Sequence, residues 1–137
     1  MSTEKLNKLL ANLAVLYQKQ RNYHWNMVGS GFNQLHVFLE KEYEAFADYI
    51  DEVAELVRMN EESPLSTLKE FLEHADLKEG DKSLSKSEMI QDIISDYEKI
   101  LSFLDSHDNL DRSTDDLFVA LTKHFKKAIW LLKSEFN

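Results

Sequence analysis

Two histidines and three carboxylates in the first half of the chain have the types and spacing of metal ligands: His24, His36, Glu40, Asp51 and Glu55. Imidazole and carboxylate groups together are ligands of divalent transition-metal ions. Cysteine is absent, which excludes thiolate metal sites and disulfides. Taken singly, each residue has an ordinary explanation, because a lone helical histidine or an exposed acidic pair is common. Their arrangement is more informative than any one of them.

The spacing of these residues predicts a site shared between two subunits. His24 lies five residues before the glycine-containing segment 29–31, and His36 lies five residues after it. A helical hairpin around that segment would place both imidazoles side by side. Fifteen residues separate His36 from Asp51, which is ~22 Å of helix, so one ion cannot join them within one chain. A second subunit, packed antiparallel across a two-fold axis, would bring its Asp51 and Glu55 to the histidines, twice per dimer.

The apolar spacing predicts helices throughout the chain, because apolar residues recur every three or four positions. The first two long helices are expected at about residues 3–28 and 32–59. A short helix is expected at 67–73, where Thr67 and Glu70 have capping-box spacing. Two more long helices follow, one opened by the capping box of Ser85 and Glu88, the other capped by Ser113 or Thr114.

Composition limits the classes of protein that fit. Only four of 137 residues are glycine or proline, too few for an architecture of many short strands. The net charge of −9 argues against a phosphate-binding face. No apolar run approaches the ~20 residues of a membrane span. The N-terminus is charged from Glu4 and lacks a signal-type stretch, so we expect one cytoplasmic domain over residues 1–137.

These elements predict an all-α protein with a ferritin-like four-helix bundle, in which a short extra helix lies in the crossover between the second and third long helices. Di-iron bundles of the ordinary kind carry Glu-x-x-His motifs within one bundle. None of the five histidines here has an acidic residue three positions before it. The sequence therefore lacks the ligand pattern of an intra-bundle di-iron site.

Four segments carry a resemblance to a known family. Residues 24–36, HWNMVGSGFNQLH, resemble the His-Trp, Gly, Phe and Leu-His signature of Dps proteins, the mini-ferritins. Residues 51–55, DEVAE, resemble that family's Asp-Glu-x-Ala-Glu at the expected distance. Residues 66–72 resemble its short helix at the dimer interface, and residues 129–132 resemble its Trp-Met-Leu element. The resemblance covers roughly residues 6–134.

The resemblance implies an iron-oxidising and iron-storing protein. It implies a homo-oligomer, a dodecameric shell with a hollow acidic interior, and ferroxidase centres between two-fold-related subunits. Fe2+ would be oxidised there, by hydrogen peroxide in preference to oxygen, and stored as ferric mineral. Two ferrous ions together reduce peroxide to water and so avoid hydroxyl radical.

The resemblance also implies a role for each ligand. His24, Asp51 and Glu55 would hold the first iron, with Glu55 able to bridge. His36 and Glu40 would complete the second position. The family usually has aspartate in place of Glu40, and the longer side chain leaves open whether the centre holds two irons or one.

Further residues are assigned by the same resemblance. Trp25 could quench oxidising equivalents, or it could be an ordinary core or interface aromatic. Three acids near the start of the fourth long helix could line a three-fold iron-entry pore, or simply be the acids expected at a helix start: Asp108, Asp111 and Asp116. Two departures from the family concern interface detail: Leu56 replaces a common arginine, and residues 60–62, Asn-Glu-Glu, replace a frequent Gly-Gly turn.

Two other functions stay open at the level of sequence. The chain could be a catalytically inactive shell or helical interaction protein of the same fold, or a DNA-binding architectural protein. Some Dps proteins bind DNA through basic terminal tails. Here the first helix begins almost at residue 3, the fourth helix reaches nearly to Asn137, and the charge is strongly negative. We therefore predict no stable DNA binding and no membrane association.

Overall fold

The computed structural model describes residues 2–136 and contains five helices. They are α1 (Thr3–Asn26), α2 (Phe32–Met59), α3 (Leu68–His74), α4 (Lys86–Asp105) and α5 (Arg112–Glu135). The four long helices form the bundle, and α3 lies in the crossover between α2 and α4. This confirms the all-α, ferritin-like architecture. Within residues 2–136, no helix combines the length and apolar character needed to cross a membrane.

The first two helices form the hairpin that the sequence predicts, but α1 is shorter than expected. It ends at Asn26 instead of residue 28, because Met27 is extended, with φ −69° and ψ 154°. The chain then reverses through Gly29 and Gly31, whose φ values of 114° and 80° lie in the region that favours glycine. This short reversal sets the register of α1 against α2.

The capping residues explain where the later helices begin. Both predicted capping boxes are present, Thr67 with Glu70 at α3 and Ser85 with Glu88 at α4. The predicted start of the fourth long helix, which is α5, is wrong: its N-cap is Asp111, not Ser113 or Thr114. Asp111 has the extended backbone of a cap, and its carbonyl already accepts the first helical bond, from the Asp115 N–H at 2.9 Å.

The core lies between the four long helices. α1 packs against α2, α3 and α4, and α5 packs against α4 and α2. Apolar side chains at helical spacing fill the interior, among them Leu13, Leu39, Ile93, Tyr97 and Leu121. Burial of these side chains supplies the main driving force for folding. The result is a rigid frame that holds the α1–α2 hairpin and the residues on it.

Candidate metal centre

His24 near the end of α1 and His36 near the start of α2 lie face to face. Their ring centroids are 3.6 Å apart with an interplanar angle of 11°. Each ring bonds to the backbone of the other residue: His24 Nδ1 lies 2.7 Å from the His36 carbonyl oxygen, and His36 Nδ1 lies 2.7 Å from the His24 carbonyl oxygen. The predicted meeting of the two histidines is confirmed.

This reciprocal arrangement fixes the tautomer of both imidazoles. A carbonyl oxygen can only accept a hydrogen bond, so each Nδ1 carries the hydrogen and donates it. Nε2 is then the ring atom of each histidine that is available to a metal ion. Backbone bonds of this kind orient metal-binding histidines and hold them in place before the ion arrives.

Glu40, one helical turn after His36, completes a cluster of three. One ligand atom from each of His24, His36 and Glu40 lies within 4.8 Å of the others. The Glu40 Oε1 is 3.9 Å from His24 Nε2. Ligand atoms at ~2.0–2.2 Å from one ion are about 3 Å apart, so at 3.9 Å the half-exposed Glu40 carboxylate lies close enough to the histidines to bind the same ion or a neighbouring one. No other group of three potential ligands occurs among residues 2–136.

Asp51 and Glu55 lie outside this cluster. α2 is one unbroken helix, so Asp51 is carried ~22 Å along the axis from His36. Both carboxylates are exposed on the side of α2 away from buried Val53 and Val57. The chain by itself therefore brings together three of the five predicted ligands and leaves two on a free surface.

The interior of the bundle is occupied by other polar contacts. Tyr97 donates a 2.6 Å hydrogen bond to Glu42 Oε1, and Gln20 Nε2 donates to the Tyr97 oxygen at 3.1 Å. The second oxygen of Glu42 lies 3.0 Å from His124 Nε2. Burial, and then the Glu42 charge, raise the pKa of Tyr97 well above its usual value. Sequence reasoning missed this cluster, because its members occur singly on four helices with no motif.

The remaining predicted residues lie on the surface of the chain. Trp25 is 56% exposed, and its ring lies 4.9 Å from the Arg21 guanidinium. The three predicted pore residues are all exposed around the α4–α5 turn: Asp108, Asp111 and Asp116. A three-fold pore requires neighbouring subunits, so that role stays a prediction.

Tyr43 has the helical spacing of the apolar residues of α2, but its ring lies beside the histidines. Its ring meets the His24 ring edge to face, with centroids 5.3 Å apart and an angle of 77°. Burial, and then the charges of Glu40 and Glu44, raise its pKa. Helical spacing could not separate this residue from its apolar neighbours.

Comparison with known proteins identifies the family. The ferritin-like domain model matches residues 3–136. General stress protein 20U of Bacillus subtilis is 34% identical, over 96% of this chain and 94% of its own length. DNA protection during starvation protein 2 of Bacillus anthracis is 32% identical, over 98% and 95%.

Solved structures agree with the sequence relatives. A Dps protein from Bacillus brevis superposes with a TM-score of 0.91 at 32% identity, over 98% of this chain and 94% of that one. Dps from Vibrio cholerae, described as a ferritin-like diiron-carboxylate protein, gives a TM-score of 0.91 at 27% identity, over 98% and 88%. With a ferritin-like domain along nearly its whole length and Dps relatives matched from end to end, this chain belongs to the Dps family.

Proposed function

We propose that the protein is a cytoplasmic ferroxidase and iron-storage mini-ferritin. Fe2+ is its substrate, hydrogen peroxide or oxygen is the oxidant, and the ferric product is kept as mineral inside a dodecameric shell. The observation that carries the proposal is the His24–His36–Glu40 cluster, which presents two free Nε2 atoms and a carboxylate on one side. Such a cluster can bind a transition-metal ion but cannot surround it.

A second subunit completes the centre in this proposal. Asp51 and Glu55 are exposed carboxylates one helical turn apart, too far along α2 to serve their own cluster. An antiparallel, two-fold contact between α2 helices pairs each cluster with the carboxylates of the other chain, because the contact is self-complementary. His24 and the partner subunit's Asp51 and Glu55 then hold the first ion, and His36 and Glu40 complete the second position.

The chemistry of this centre follows from its ligands. Two Fe2+ ions each give up one electron, and hydrogen peroxide takes both electrons and two protons to form two water molecules. Neutral imidazole and carboxylate stabilise Fe3+ better than Fe2+ because the carboxylates carry charge, so the centre favours the oxidised product. The structural similarity to Dps from Vibrio cholerae, a member of the ferritin-like diiron-carboxylate proteins, supports this choice of metal.

We further propose that stable DNA binding is not part of this function, although several relatives are named for DNA protection. DNA binding depends on basic groups that replace the counterions of phosphate. With 16 basic and 25 acidic residues per chain, every added subunit increases the repulsion. The same charge attracts Fe2+ towards the particle. A gel shift at ~0.15 M salt with metal chelated is expected to show no retarded DNA.

The test of the proposal is Fe2+ oxidation by protein whose particle size is measured by light scattering. The assembled protein should oxidise Fe2+ faster than buffer alone, and faster with peroxide than with oxygen. Asp51→Asn should slow the reaction at least ~10-fold, while Asp48→Asn, an exposed acid one turn earlier on α2, should not. A monodisperse monomer, or oxidation no faster than in buffer, contradicts the proposal.

A further inference from the structure

A cavity of about 410 Å³ lies between α2 and α5, outside the metal cluster of the α1–α2 hairpin. Part of its lining is apolar, from side chains such as Val37 and Leu131. Two further lining residues are Glu42 on α2, which is buried, and His124 on α5, whose side chain is 20% exposed. The cavity therefore gives solvent and small ions access to a buried carboxylate and an imidazole.

The Glu42 carboxylate and the His124 ring meet at an unusual angle. Glu42 Oε2 lies 3.0 Å from His124 Nε2, yet Nε2 is buried and has no hydrogen-bond partner within residues 2–136. At this distance a hydrogen bond fails only when the ring nitrogen is not aimed at the oxygen. Two ligand atoms that bind one ion at ~2.0–2.2 Å are also about 3 Å apart, and both are aimed at the ion instead of at each other. The pair therefore has the separation of two ligands of a common ion.

The orientation of Glu42 is fixed by its other oxygen. The Tyr97 hydroxyl donates a 2.6 Å hydrogen bond to Glu42 Oε1, and Gln20 Nε2 donates to the Tyr97 oxygen at 3.1 Å. Because the phenol already accepts from Gln20, its own hydrogen is directed to Glu42. Hydrogen bonds of this kind orient the carboxylates that bind metal ions. They leave Oε2 as the oxygen that faces His124.

Charge and donor type indicate which ligand fits. A buried carboxylate needs a compensating positive charge. A divalent cation held by both Glu42 and His124 would supply it and would leave the imidazole neutral. One nitrogen and one oxygen donor suit Zn2+ and similar transition-metal ions, whereas Mg2+ and Ca2+ take oxygen ligands. Water in the cavity can fill the remaining coordination positions.

We propose that Glu42 and His124 of one chain bind a single divalent transition-metal ion of the zinc type in the cavity between α2 and α5. Both ligands come from the same chain, so this site needs no second subunit, unlike the centre proposed for Fe2+ oxidation. The ion would link α2 to α5 across the bundle. The inference does not depend on the ferroxidase function.

The test titrates metal-free, assembled protein with Zn2+ by calorimetry and locates zinc by anomalous diffraction from soaked crystals. Wild type should show zinc within ~2.0–2.2 Å of Glu42 Oε2 and His124 Nε2. His124→Gln and Glu42→Gln should each lose one zinc ion per chain in solution, and excess Mg2+ should not displace that ion. His74→Gln is the matched control and should lose none, because His74 is exposed on α3 and its Nδ1 bonds to the Glu70 carbonyl at 2.9 Å.

The outcomes separate this inference from the ferroxidase proposal. Wild-type crystals with no zinc at Glu42 and His124 would show that the two side chains form a simple ion pair, and would overturn the site. Zinc present in soaked crystals but missing from the solution titration, or an unchanged zinc count in both glutamine variants, would overturn it as well. Wild type that holds zinc at this site but oxidises Fe2+ no faster than buffer would contradict the ferroxidase proposal and support the inference.

Discussion

An unusual backbone conformation occurs just after the end of α2. This helix carries every predicted ligand except His24. Glu61 has φ 64°, in the left-handed region. Its N–H donates to the Arg58 carbonyl at 2.9 Å, and the Glu62 N–H donates to the Val57 carbonyl at 3.2 Å. These two bonds form a Schellman motif, whose left-handed position normally holds glycine. It is also where the sequence differs from the Gly-Gly turn expected from its resemblance to Dps proteins.

We expect Glu61→Gly to stabilise the protein. A side chain with a Cβ pays about 1–2 kcal/mol in the left-handed region. Glycine removes that strain but costs about 0.5–1 kcal/mol in the entropy of the unfolded chain. The net gain is about 0.7 kcal/mol, which in a chain of this length raises Tm by about 2–4 °C. The exposed position and the two backbone bonds are unaffected by the substitution.

Thermal and urea unfolding at one fixed protein concentration measure this gain, because assembly makes stability depend on concentration. Glu61→Ala is the matched control: it removes the carboxylate from the negative end of the helix but keeps the Cβ and its strain. Glu61→Asn should lie between the two, since asparagine tolerates the left-handed region. If the glycine variant is no more stable than the alanine variant, backbone strain at Glu61 is refuted.

Two further predictions concern the frame of the bundle. Hydrogen bonds from the Ser85 backbone N–H, and then its hydroxyl, lower the pKa of Glu88 below 4.5. The stability that these bonds add is therefore present above pH ~4.5 and is lost as pH falls through the lower folded-state pKa. Glu88→Gln keeps a hydrogen-bond acceptor but does not titrate, so its stability should depend less on pH when acid unfolding is followed by circular dichroism. Superimposable unfolding curves of wild type and variant would contradict this. Lys19 Nζ lies 2.7 Å from buried Asp96 and 3.2 Å from half-exposed Asp92. Asp96→Ala leaves the buried Lys19 ammonium with only half-exposed Asp92 as its partner, so it should cost about 1–3 kcal/mol in urea unfolding. Adding Lys19→Met removes the under-paired charge and should restore part of that loss. No restoration would show that the loss is one of packing.

The sequence allowed much of the fold to be predicted because its local signals agree with one another. Helical periodicity, two capping boxes and the glycines of segment 29–31 predicted five helices and the side-by-side histidines. The start of α5 was predicted wrongly because Ser113 and Thr114 are both good caps by type. Asp111 has the same preference, and only the backbone shows which residue is extended.

Contacts between side chains of different helices could not be predicted in the same way. The exchange of hydrogen bonds between the His24 and His36 rings and backbones depends on the register of two helices to a fraction of a turn. The position of Tyr43 against His24, and the pairing of Glu42 with Tyr97, depend on rotamers that periodicity does not specify. The expected pairing of each cluster with the partner subunit's Asp51 and Glu55 involves a second chain and stays a prediction.

The central claim, a metal centre shared between two subunits, is tested most directly by co-assembling two inactive variants. His24→Ala and Asp51→Ala each remove one predicted ligand, so each alone should abolish fast Fe2+ oxidation. In a mixed dimer both defects fall in one centre, and the other centre combines an intact His24 with the partner subunit's intact Asp51. Random pairing makes half of the dimers mixed, so about one quarter of wild-type centres should be recovered.

Because His24 is buried against His36 and Tyr43, the folding and particle size of the His24→Ala variant are checked first. The mixing with Asp51→Ala is then repeated with His36→Ala in place of His24→Ala, because the His36 side chain is only half-buried. The measurement is the initial rate of Fe2+ oxidation after subunit exchange has been verified by mass spectrometry. The shared centre predicts about one quarter of the wild-type rate. A rate equal to that of either parent variant would contradict it, since a site within one chain leaves every chain with a broken ligand set.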